Sequence, residues 1–175
     1  MESDPIGHNV VRFPIERRRL DLATLLSIEP DVLVADALSE RYDLEFLPFD
    51  SIESGEIEAR ARIATFDRAN PIAFERSIRR MNDQAIALAI GLCRQAREAD
   101  IRAAAARRQA DHARTAIPAA CEGLDRLAAA AERMAAMLTL SAIAASHRAR
   151  GIDAVVCWAM RGDQVATNRT VAHFG

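Results

Sequence analysis

The chain has 175 residues, half of them hydrophobic, with 5% aromatic residues and a net charge of −2. That length suits one domain, and a composition rich in Ala, Arg and Glu favours an all-helical chain. All 23 basic residues are Arg, which excludes a Walker-type phosphate Lys, a Schiff-base Lys and a pyridoxal-phosphate anchor.

Residues 1–14 read as a flexible or extended segment, with Val10–Pro14 extended. Residues 15–67 form an acidic helical region. Its first helix is predicted over Ile15–Ile28. Pro30 suits the first turn of a second helix reaching Arg41. Tyr42–Asp50 reads as a loop anchored by Phe46 and Phe49. Asp50 and Glu53 have the spacing of a capping box, opening a third helix that runs to Phe66.

Residues 70–150 read as a helical hairpin. Asn70-Pro71 is a strong start signal, a capping residue followed by Pro at the first helical position. Apart from Gly91, no breaker follows until Pro118. A second long helix then runs to Gly151, which is placed to take a left-handed cap. The turn is expected near 113–118. In the tail, 151–175, Ile152–Met160 is either a strand or a short buried helix, with Trp158 as a core anchor.

Folding the two long helices together about Thr115 pairs position 92 with 138, 96 with 134, 99 with 131, and 103 with 127. Leu127 and Met134 of the return helix then face Ala103 and Ala96, small against large. A break in the heptad step falls at the same level on both helices. The predicted fold is therefore all-α: a long antiparallel coiled-coil helical hairpin with shorter N-terminal helices packed at its base. The rival is one long helix kinked at Pro118. Ile86, Ile90, Met137, Leu140 and Ile143 fall outside this seam. They need cover from the N-terminal helices, the tail or a second copy, and are the candidate oligomer contacts.

The hairpin tip gathers Asp111, His112, Cys121 and Glu122, whose donor types suit a transition metal. The segment DHARTAIP, Asp111–Pro118, resembles the phosphoacceptor box of sensor histidine kinases. In that box a His precedes an acid, an apolar residue, Arg, Thr or Asn, and Pro on a helical hairpin. Here Arg114 and Thr115 come one place early and Pro118 one place late. The resemblance implies phosphotransfer at His112, although no nucleotide-binding pattern accompanies it within these residues. Arg97, Arg102, Arg107, Arg108 and Arg114 line the first arm helix and are candidate partner contacts. Residues 97–133 hold seven Arg and six acids, a balance that argues against nucleic acid. A solvated, salt-bridged face is the simpler reading.

Charge is unevenly spread along the chain. Residues 1–66 hold 14 acids and 7 Arg, a net −7, and residues 67–175 hold 11 acids and 16 Arg, a net +5. Cys93, Cys121 and Cys157 are odd in number and widely spaced, which fits a reducing, cytoplasmic compartment. The longest uncharged apolar segment, Met134–Ser146, falls short of the ~20 residues a membrane span needs. No cofactor is expected. The function predicted is a non-enzymatic adaptor or scaffold that binds another protein and self-associates as a homodimer or higher oligomer. The alternatives are a nucleic-acid module on the Arg-rich helix, or a metal or phosphotransfer site at His112.

Overall fold

The computed structural model describes residues 21–44, 51–116 and 121–172. The expectations for residues 1–20, for Phe46, Phe49 and Asp50, and for the turn around Pro118 lie outside the described residues. Among the described residues the fold is all-α, with helices α1 (Leu22–Leu26), α2 (Ala35–Tyr42), α3 (Ile52–Ala64), α4 (Pro71–Ala116) and α5 (Cys121–Ala172).

Local capping sets where the short helices begin. The Asp21 carboxylate accepts from the Thr24 amide at 2.8 Å, so α1 starts there and does not continue an earlier helix. Asp31 caps a single 3₁₀ turn, Val32–Val34, that leads into α2. Thus Pro30 precedes the cap and is not the first helical residue. Asp43 ends α2 at φ 51°, a left-handed conformation that Asp tolerates. The cap of α3 is Ser51, whose hydroxyl accepts from the Ser54 amide at 3.1 Å. The serine therefore takes the role predicted for Asp50. Asn70 caps α4 as its spacing predicts, accepting from the Ala73 amide at 3.1 Å.

The α4 helix has 46 residues, about 69 Å at 1.5 Å per residue. Contacts between α4 and α5 link Asn82 with Asp153, Cys93 with Ser146, Arg107 with Glu132, and Arg114 with Asp125. The partner number falls as the α4 number rises. Alanines are buried every seven residues on both helices: 89, 96, 103 and 110 on α4, and 128, 135, 142 and 149 on α5. Small side chains at one heptad position let two helices approach closely.

This geometry corrects the predicted seam. Leu127 is 65% exposed and Met134 55% exposed, so they do not seat between the helices. The seam holds the alanine layers, with Ile90, Cys93 and Ile143 buried towards the base, and the Arg107–Glu132 and Arg114–Asp125 pairs flank it. No break in the heptad is needed, because 89-96-103-110 and 128-135-142-149 each keep a seven-residue step.

A second correction concerns Gly151. It does not end the helix; α5 runs through it to Ala172, and no described glycine has positive φ. The predicted tail is thus helical over residues 152–172. Gly151 is instead where α3 crosses α5: a Cβ there would lie 1.9 Å from the Ile52 carbonyl oxygen. Gly55 makes the reciprocal approach, 2.2 Å from the Arg148 carbonyl oxygen. Two glycines, one on each helix, allow backbone-to-backbone contact. Trp158, expected in the core, is 76% exposed on the outer face of α5.

The base is covered from two sides. Leu25 of α1 packs on Ile86, Ala89, Ile90 and Cys93, while Ala35 of α2 packs on Leu140 and Ile143. On the other side Ala59 and Ile63 of α3 join Phe74, Ile78 and Met81 of α4 with Ile152, Val155 and Val156 of α5. By length and composition the stretch Cys121–Gly162 of α5 could cross a membrane, but 44% of its apolar window is buried against the rest of the chain.

Candidate interaction site

The part of α4 and α5 farthest from α3 carries the residues singled out from the sequence. Ion pairs between the helices hold it together. Arg107 donates to both Glu132 oxygens at 2.8 and 2.9 Å. Arg114 donates to both oxygens of Asp125 at 2.5 and 3.3 Å, and to Asp111 at 3.1 Å. Such fork-to-carboxylate geometry fixes the register of one helix against the other. The Arg107 guanidinium, by hydrogen bond and charge, holds the Glu132 carboxyl below the usual glutamate range.

Three of the five candidate partner-binding arginines are therefore engaged within the chain: Arg102 with Glu98, Arg107 with Glu132 and Asp125, and Arg114 with Asp125 and Asp111. Arg97 and Arg108 are exposed, with no ion pair among the described residues.

The four tip residues with metal-ligand chemistry are not brought together. No group of three or more His, Cys, Asp or Glu side chains that could hold a metal occurs among the described residues. Asp111 faces Arg114, and Glu122 pairs with Arg126 one turn along α5. His112 is exposed in the last turn of α4, in an open groove shared with Arg108, Gln109 and Leu124.

Of the five candidate oligomer contacts, Ile86, Ile90, Leu140 and Ile143 are 7% exposed or less. The cover they need comes from α1 and α2 of the same chain, not from a second copy. Met137 alone is open to solvent, at 47%. Cys93, within the base, is buried beside Ser146, and that burial pushes its thiol up and away from reactivity.

The surface that sequence reasoning misplaced is more informative. Ala131, Met134 and Leu138 of α5, with Ala99 and Arg102 of α4, border an open groove along one side of the helix pair, and Leu127 stands exposed one heptad from Met134. A separate open groove, lined by Arg108, Gln109, His112 and Leu124, lies nearer the end of α4. The seven-residue alanine repeat is the sequence feature that goes with this placement, and it becomes legible only once the facing helix is known.

No family model, no curated protein and no solved structure matches the chain.

Proposed function

We propose that the protein is a non-enzymatic helical adaptor that acts through protein–protein contact. In this reading α4 and α5 form an antiparallel coiled-coil hairpin. The paired positions 93/146, 107/132 and 114/125 and the alanine heptads support that geometry. The end beyond the short helices projects as an arm, stiffened by its cross-helix ion pairs. One observation carries the reading: the large apolar side chains Leu127 and Met134 stand exposed on the arm, Met134 at the edge of an open groove. Contiguous exposed apolar surface on a soluble domain marks an interaction site.

The engagement of Arg102, Arg107 and Arg114 with carboxylates weighs against the nucleic-acid alternative, since phosphate binding needs cations that are not already neutralised. Three cysteines without a disulfide support a reducing, cytoplasmic setting.

The test is in-cell photo-crosslinking with benzoylphenylalanine placed singly at Ile101, Leu127 and Met134 of the full chain. Protein adducts at one or more positions are expected. Absence of adducts at all three would overturn the adaptor reading.

A further inference from the structure

Two oppositely charged surfaces are left unneutralised within the chain. Residues 21–44, which hold α1, the 3₁₀ turn and α2, carry six acids and one Arg, a net −5. Ala35 and Leu38 turn one face of α2 onto Leu140 and Ile143. Asp36 and Glu40, one turn apart, lie on its outer side, and Asp43 follows at the helix end. All three are exposed, with no ion pair among the described residues. On α4, residues 76–108 carry eight Arg and three acids, a net +5. Arg79, Arg102 and Arg107 are paired with carboxylates. Arg76, Arg80, Arg94, Arg97 and Arg108 are exposed and have no ion pair among the described residues; Asp83 and Asp100 are the unpaired acids among them. Arg80, Arg94 and Arg108 are fourteen residues apart, two heptads, so they recur at one position of the helix, about 21 Å from one to the next. Ile101, 62% exposed, stands at that same position between Arg94 and Arg108, and Leu33, 87% exposed, precedes the acids of α2.

We propose that these two surfaces bind each other between two copies of the chain. The acids of α2 in one copy lie against Arg94 and Arg108 of α4 in the other, with Leu33 and Ile101 inside the contact. Within one chain the surfaces do not meet, because α2 is seated on α5 and no ion pair joins Asp36, Glu40 or Asp43 to α4. A foreign acidic or basic protein would bring a complement to one of the two surfaces; a second copy brings a complement to both. A two-fold pair makes each contact twice, so the assembly closes at a dimer. Like charges oppose any other pairing of these faces, which fixes the register. The inference goes beyond the adaptor reading and stands independently of it.

The test is sedimentation equilibrium of the full chain, with the charge reversed on each surface in turn. The parent is expected to dimerise at about 100 μM in low salt, and its dissociation constant should rise about ten-fold when salt is raised to about 0.5 M. Asp36→Arg/Glu40→Arg and Arg94→Glu/Arg108→Glu should each be monomeric under the low-salt condition. Their far-UV helicity should match the parent's, since none of the four side chains has an ion pair among the described residues. An equimolar mixture of the two variants should dimerise again, because each reversed surface meets an opposite one on the other variant. A parent that stays monomeric would overturn the inference and leave both surfaces to foreign partners. Dimers that survive either reversal would also overturn it, as would variants that stay apart when mixed.

Discussion

Glycines show how one residue type serves opposite ends in this chain. Gly151 and Gly55 sit where α3 and α5 touch backbone to backbone, and a methyl group at either would collide with a carbonyl that has no freedom to move. Gly151→Ala is expected to cost about 1–3 kcal/mol, because the helices must separate to admit the Cβ. Gly91 lies mid-helix in α4, and a methyl group added there would meet nothing within 4 Å. Gly91→Ala is expected to gain about 0.5–1 kcal/mol through backbone entropy. Urea unfolding of the two variants beside the parent protein checks both signs. In the sequence Gly91 reads as an interruption and Gly151 as a helix end; only the crossing of α3 over α5 shows what Gly151 does.

Charge pairing at this scale has a pH signature. Hydrogen bonds from Arg148 hold the Glu58 carboxyl below its ordinary value. A group whose pKa is lower in the folded state stabilises that state fully above its unfolded value, and the contribution disappears as pH falls through the folded value. The stability difference between the parent and Glu58→Gln should therefore stay constant from neutral pH downward and shrink below the ordinary glutamate value of 4.5. Its size is expected to be about 0.5–1 kcal/mol, since Arg148 is well exposed. Denaturant midpoints measured across that pH range supply the check; a difference that grows on acidification would contradict the pairing.

At the scale of elements, α4 and α5 define each other. The predicted seam placed large residues between the helices, on the reasoning that a helix survives by burying them. The structure buries alanines there, with Ile86, Ile90 and Ile143 towards the base, and leaves Leu127 outside. The two arrangements differ in what substitutions do. Ala110→Leu is expected to destabilise by about 1–3 kcal/mol, because Ala110 is 0% exposed where the helices meet. Leu127→Ala is expected to change stability by no more than about 0.5 kcal/mol, because its side chain already meets water. Thermal unfolding of the pair distinguishes the seams: the predicted one demands that Leu127→Ala be the damaging change.

For the whole molecule, the question is whether one chain is complete. Four of the five large residues that prompted an expectation of dimerisation are covered by α1 and α2. The single tryptophan gives a direct readout at the far end of α5. With Trp158 76% exposed, its emission should be that of a water-exposed indole, and acrylamide should quench it freely at micromolar concentration. A blue-shifted, protected emission would show that another copy covers that face.

The sequence by itself determined the helical class, the start of α4 at Asn70-Pro71 and the two long helices, because capping and propensity act over a few neighbouring residues. It also contained the alanine repeat, which can be read only once the seam is known. Tertiary structure alone decided which stripe faces inward, that Gly151 lies at a crossing and continues the helix, and that Trp158 stands in solvent. An alanine-rich helix offers several stripes of nearly equal burial energy, and hydrophobic pattern cannot rank them. The ranking came from contacts between distant parts of the chain: backbone approach at paired glycines, and arginines whose carboxylate partners lie on the opposite helix.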